Sequence, residues 1–235
     1  MLTKSNTITV GVVVGLSAVL VFAMAAWLGP EAPATPKVTG DNTEQLPGPL
    51  TPEELQAYQV DMTNKDNPIA TFVTNRGTFE LELFEDTMPI TAGNFIKLAE
   101  EKFYDGVKFH RVMDGFMIQS GDPLSKTDEY IKYGTGGPGY TIPDEHIPGE
   151  YLTNVRGTIS MANRGPESGG SQFFINLVDN VNLDFDKPPF TSKHPVFGRV
   201  LRGMDVVDAI GKTETNANDM PLDPVIVETV TITRP

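Results

Sequence analysis

The chain has 235 residues, enough for one domain of ordinary size plus appendages. Its net charge of -13 makes nucleic acid a poor partner, and the absence of cysteine excludes disulfides, thiolate chemistry and lipidation at a cysteine. Histidines occur only at 110, 146 and 194, too few and too unpatterned for zinc, so no metal site is expected.

In chain order, Ile8 to Leu28 comes first, a run of 21 positions without a charge. At about 1.5 Å per residue it is long enough to cross a hydrocarbon core of roughly 30 Å. A cleaved signal peptide is the competing reading, because Ala23-Met24-Ala25 has the small-residue spacing of a cleavage site. The apolar region of a signal is usually only about 7 to 15 residues, which favours an uncleaved anchor. Lys4 ahead of the run and Glu31 as the first charge after it place the amino terminus in the cytoplasm and the remainder outside, with Trp27 suited to the outer interface. From 29 to 68 the chain carries seven prolines and few large apolar groups, which predicts an extended acidic tether. Within it, Thr51-Pro52-Glu53-Glu54 has the form of a helix start, for a short helix through about Val60.

A folded domain is expected over residues 69–235. ATFVTN and GTFELELF flank a turn near Asn75-Arg76-Gly77 and predict a hairpin. Phe79, Leu81 and Leu83 alternate with Thr78, Glu80 and Glu82, so one face should be buried and the other wet. Asp86-Thr87 and Pro89 announce a helix with Phe95, Leu98 and Ala99 on one face. Apolar runs at 107–113, 116–119, 157–162, 173–178, 196–201 and 225–233 predict further strands, and 203–210 a second helix. Eight short strands and two separated helices favour a closed antiparallel barrel capped by helices, although the pattern alone also permits a sandwich.

Two runs carry the chemistry. FHRVMDGFMIQSGDP, from Phe109 to Pro123, sets Arg111 among apolar residues, and SMANRGPESGGSQFFINL, from Ser160 to Leu177, supplies amides, glycines and adjacent aromatics. His110, Asp114 and Ser171 would make a hydrolase triad only if the fold united them, and no G-x-S-x-G elbow surrounds Ser171. HRVMD lacks the accompanying phosphate loop of a kinase, and Gly134-Thr135-Gly136-Gly137 lacks the lysine of a Walker loop. An apolar and amide surface with one arginine remains.

FHR, GFMIQ-x-GD, GTISMAN, GSQFFI and VFGRV occur in an order and spacing that resemble the cyclophilin family of peptidyl-prolyl cis-trans isomerases over nearly all of residues 69 to 234. The resemblance implies a cyclophilin-like barrel and rotation about X-Pro peptide bonds, a reaction that needs no nucleophile and no cofactor. It implies Arg111, Gln119 and Phe116 as catalytic residues, with Arg111 donating to the prolyl nitrogen as the amide twists. Phe116, Met117, Phe173 and Leu183 would line a proline pocket. Gln119 and Gln172 would orient the arginine and the substrate backbone, Ala162 and Asn163 would hold the preceding residue, and His110 and His194 occupy matching histidine positions. Proline-containing peptides and unfolded chains are the implied partners, as are exported clients if the domain lies outside the membrane. Asn182 stands where many members carry an aromatic residue, so weakened cyclosporin binding is expected, and the stretch from 184 to 194 is longer than the family's usual turn. A proline-peptide binding module without turnover, and a barrel carrying a small apolar ligand, are the alternative readings.

Overall fold

The structure, a computed structural model, describes residues 62–149 and 151–235. Alternating apolar residues pair β1 (Ile69–Thr74) with β2 (Gly77–Leu83), Ile69 opposite Glu82 and Thr74 opposite Gly77. The turn rests on Gly77, whose φ of 125° is open to glycine, and on Thr74 Oγ1, which donates to Gly77 O at 2.7 Å. Contrary to the expected wet face, Glu80 and Glu82 are also buried. Arginines of a neighbouring strand make this possible: Arg202 Nε and Nη2 each donate to Glu80 at 3.2 Å, and Arg199 Nε donates to Glu82 at 3.0 Å.

Helix α1 (Pro89–Glu100) begins on a proline, whose missing N–H costs nothing in the first turn. Its next two N–H groups, of Ile90 and Thr91, donate to the Glu145 carboxylate at 3.1 and 2.8 Å, a cap supplied from a distant loop. The chain continues through β3 (Arg111–Met113), β4 (Met117–Ser120), β5 (Thr158–Met161), β6 (Phe173–Asn176), β7 (Val196–Arg202), α2 (Met204–Gly211) and β8 (Val227–Thr233).

All eight strands join one antiparallel sheet in the order β3-β4-β6-β5-β7-β2-β1-β8. The sheet curls into an open half-barrel rather than the closed barrel expected. Its edge strands, β3 and β8, do not pair with each other; the segment ahead of β3 meets the start of β8 around the Lys108–Ile226 bridge, where Val227 N donates to Val107 O at 2.8 Å, Gly106 N to Val227 O at 2.7 Å and Phe109 N to Val225 O at 2.9 Å. Beyond that bridge Val112 gives its N–H to Asp219 O at 2.7 Å, in the loop ahead of β8, and the ladder ends. The interior holds stacked Phe72 and Phe79, with centroids 4.8 Å apart, and Phe95 against Tyr104 at 4.9 Å.

The expected span at 8–28 and the short helix at 51–60 lie outside the described residues. Among the described residues no helix is long and apolar enough to cross a membrane. Residues 62–67, read from sequence as the end of the tether, are bound to the barrel: Thr63 N, Asn64 N and Asn67 Nδ2 donate to the Glu82 carboxylate at 3.1, 3.2 and 3.0 Å.

Candidate active site

Strand alternation puts the site on the outer face of the curled sheet. Arg111 stands opposite Gln119, and Gln119 opposite Phe174, so these side chains make one row across β3, β4 and β6. The adjacent row, Val112, Ile118 and Ile175, points into the core. Met117, Phe174 and Leu183 form a separate small apolar cluster, against which Met113, Phe116 and Ala162 pack. Leu183 is brought there by a single 3-10 turn, Val181–Leu183, held to the β3–β4 hairpin by Asn180 Nδ2 donating to Phe116 O at 3.0 Å. A hollow of about 290 Å³ results, lined by Phe116, Met117, Phe174, Leu183 and Ala162 with Arg111, Gln119, Asn163 and His194.

The polar groups around it are fixed. Gln119 Nε2 donates to Gln172 Oε1 at 3.0 Å, and Gln172 Nε2 donates to Gly136 O at 2.8 Å. Ala162 N donates to Gln172 O at 2.9 Å, and Asn163 Nδ2 to Lys193 O at 2.8 Å. His194 Nδ1 lies 3.1 Å from Met161 O, which only accepts, so Nδ1 carries the hydrogen and Nε2 is the free acceptor. Its ring meets the edge of Phe174 at 5.3 Å, and burial pushes its pKa down, so it is neutral at pH 7. Arg111 is half-exposed; Nη2 donates to Met113 Sδ at 3.0 Å and Nε lies 3.5 Å from Asp219 Oδ2. A second hollow, of about 680 Å³, adjoins the first through Gln119, Ala162 and Asn163 and is walled by the 134–141 loop and Gln172.

Two expected pocket residues stand elsewhere. Phe173 pairs with Ser120 and Met161, on the core side of β6, and its ring meets Phe72, Phe95 and Tyr104 at 5.7, 5.6 and 5.7 Å. Phe174 takes the place assigned to it, because successive strand residues face opposite ways. His110 is buried beside the 134–141 loop, where a Cβ added at Gly134 would lie 3.7 Å from its Nε2, and it does not line the smaller hollow. Burial depresses its pKa, against the opposing pull of Asp122. Among the described residues no group of carboxylates and histidines is placed to hold a metal ion.

An apolar hollow with an arginine on its edge, on a half-barrel of this order, agrees with the match of residues 69–232 to the family model for cyclophilin type peptidyl-prolyl cis-trans isomerase/CLD. The chain belongs to the cyclophilin family. Peptidyl-prolyl cis-trans isomerase A of Mycobacterium tuberculosis is 40% identical to this cyclophilin over 180 residues, covering 69% of this chain and 91% of that protein. A longer Streptococcus pyogenes protein, whose name joins a phosphatase to a peptidyl-prolyl cis-trans isomerase, is 38% identical over 210 residues; these are 78% of this chain and 42% of that one. Among solved structures, a Cryptosporidium parvum cyclophilin type peptidyl-prolyl cis-trans isomerase, crystallised in the presence of the dipeptide Ala-Pro, superposes with a TM-score of 0.61 at 28% identity. It covers 71% of this cyclophilin and 99% of that chain.

Sequence reasoning missed Phe174, Met113 and Asp219. Alternation from Ile175, whose apolar neighbours place it inside, would have found Phe174, and the i, i+2 relation to Arg111 would have found Met113. Asp219 lies 108 residues from Arg111 in a loop without a motif, and nothing local signals it.

Proposed function

We propose that this isomerase turns X-Pro bonds in the 290 Å³ hollow, with the proline ring against Phe116, Met117, Phe174 and Leu183 and Arg111 donating to the prolyl nitrogen. Rotation breaks amide resonance and meets a barrier of about 18 to 20 kcal/mol, while cis and trans differ by only about 0.5 to 1 kcal/mol. No bond is made or broken, so catalysis requires only that the twisted amide be held better than either planar form. As conjugation is lost the prolyl nitrogen becomes an acceptor, and a donor fixed against it acts in the transition state alone. Shortening a spontaneous time of about 10 to 100 s to milliseconds takes roughly 10⁴- to 10⁵-fold, or about 5.5 to 7 kcal/mol. One charge-assisted hydrogen bond supplies about 1.5 to 3 kcal/mol. The remainder falls to positioning: the Gln119–Gln172 pair, the Asn163 backbone, fixed by its side-chain bond to Lys193, and the aromatic walls.

The observation that carries this reading is the guanidinium of Arg111 on the rim of a hollow whose apolar wall is Phe116, Met117, Phe174 and Leu183. The purified chain is expected to accelerate isomerisation of a short X-Pro peptide, and Arg111→Ala to lower kcat/KM by roughly 10- to 150-fold. An inactive wild-type protein that still bound the peptide would overturn catalysis and leave a binding module.

The same proposal places the domain outside a membrane, anchored by residues 8–28 and assisting the folding of exported chains. The uncharged run with Lys4 before it and a proline-rich stretch after it supports that placement. The mature amino terminus in the membrane fraction tests it: a start at Met1 supports the anchor, and a start just after Ala25 overturns it.

A further inference from the structure

We propose that Asp219 is a positioning residue that aims the Arg111 guanidinium at the prolyl amide, an inference that rests on Arg111 being the donor. The carboxylate Oδ2 lies 3.5 Å from Arg111 Nε. Asp219 also holds the backbone of the same strand, since its carbonyl accepts the N–H of Val112 at 2.7 Å. One residue of the loop ahead of β8 thus fixes both the main chain next to Arg111 and the inner end of its planar fork. Nη2 is taken by Met113 Sδ at 3.0 Å. With Nε and one N–H of Nη2 engaged, Nη1 and the second N–H of Nη2 are left for substrate, and a planar fork held at two points has little freedom to turn.

The loop is built to present Asp219. Asn216 Oδ1 accepts the N–H groups of Asn218 and Met220 at 2.9 and 3.2 Å, Asn216 N donates to Met220 O at 2.9 Å, and Asp219 N donates to Asn216 O at 3.0 Å. This pinched turn holds Asp219 at φ 60°, a left-handed conformation that aspartate, asparagine and glycine tolerate best. Stability is a poor explanation for the pair, because both side chains are about two-fifths exposed, at 42% and 40%, and ion pairs in water add little to folding. Orientation is a better one. An unpaired guanidinium on the rim would swing toward solvent, and a donor that must be recovered from solvent in each turnover lowers kcat while ground-state binding of the proline ring, made by Phe116, Met117, Phe174 and Leu183, is untouched.

The experiment measures kcat and KM separately with the full chain and a short Ala-Pro peptide. Asp219→Asn keeps the turn and removes the charge; Asp219→Gly keeps the left-handed backbone and removes the side chain. Both are expected to lower kcat, the glycine variant by roughly 2- to 10-fold, with KM within twofold of wild type and an unchanged Tm. Raising the salt concentration should lower kcat of wild type and leave the variants flat, since the partly exposed pair is screened. A double-mutant cycle separates orientation from general damage: in an Arg111→Ala background Asp219→Gly should cost nothing more, whereas a purely structural role would add in full. An unchanged kcat in Asp219→Gly, or full additivity with Arg111→Ala, overturns the proposal. If Arg111→Ala itself turned over like wild type, the reading of Arg111 as donor would fail instead.

Discussion

Gln119 and Gln172 are joined side chain to side chain at 3.0 Å, and the second amide reaches on to Gly136 O at 2.8 Å. The pair therefore couples the floor of the proline hollow to the loop that walls the larger one. Replacing Gln172 by alanine removes both bonds at once, leaving Gln119 Nε2 and the Gly136 carbonyl to water. With a neutral hydrogen bond worth about 0.5 to 1.5 kcal/mol, kcat/KM should fall roughly 2- to 13-fold. Peptide kinetics would show it, with a Tm close to wild type because the pair is only partly buried. A variant as active as wild type would mean that the amides do not orient substrate.

Phe173 and Phe174 should separate stability from function. Phe173 touches three core rings and is fully buried, so Phe173→Ala should cost about 3 to 5 kcal/mol of stability. Phe174→Ala removes a wall of the hollow and should raise KM for proline peptides; buried in the small cluster with Met117 and Leu183 rather than in the main core, it should lower Tm less than Phe173→Ala. Thermal melts and steady-state kinetics on both variants decide it; the reverse pattern would put the substrate on the wrong face of β6.

That pair also marks where the sequence was legible and where it was not. Period-two alternation identified the β1–β2 hairpin, and the motif order identified the family, because both are local signals. A motif such as SQFF names a strand without its register, and a slip of one residue moves every side chain to the other face. Glu80 and Glu82 were read as wet for a related reason: their partners Arg202 and Arg199 lie more than a hundred residues away. Barrel closure likewise depends on whether β3 meets β8, residues more than a hundred positions apart, and Val112 of β3 bonds instead to Asp219 O in the loop ahead of β8.

Glu82 is the most consequential of these buried groups. Its carboxylate, fully buried, accepts from Arg199 at 3.0 Å and from Thr63, Asn64 and Asn67 of the incoming chain. Removing it takes the Glu82 carboxylate from Arg199, which is only 31% exposed, and from the polar groups of residues 63–67. Breaking one side of such a pair costs about 3 to 5 kcal/mol, and the partial exposure of Arg199 favours the lower figure. Glu82→Ala should therefore lower Tm by roughly 6 to 12 °C, and deletion of residues 1–67 should lower it in the same direction. Calorimetry showing an unchanged Tm in both would mean the segment is not part of the folded unit.

Asn182 is exposed next to Leu183 at the hollow's edge. An aromatic ring there would add a wall that this chain lacks. Cyclosporin should bind wild type weakly, and Asn182→Trp should tighten it by roughly tenfold, as expected for about 1 to 1.5 kcal/mol of added ring contact. Isothermal titration reads this directly, and tight binding that the substitution did not improve would remove Asn182 from the account.

Acid should weaken the fold through two histidines. Burial lowers the pKa of both His110 and His194 below the ordinary 6.5, so in the unfolded chain each binds a proton at a pH where the folded one does not. Protons taken up on unfolding make stability rise with pH; the contribution is complete above about 6.5 and is lost as pH falls below it toward the folded values. Asp208, whose carboxyl is held down by its hydrogen bond to Arg156, loses its contribution only at lower pH, from about its ordinary 3.8 downward. Between about pH 6.5 and 5 the histidines should therefore dominate. Tm measured across that window should fall in wild type, fall less in His110→Leu and flatten further when His194→Leu is added; equal slopes in all three would refute the assignment. Peptide turnover should fall with them in wild type, because protonation of His194 puts a second positive charge on the wall that Arg111 shares.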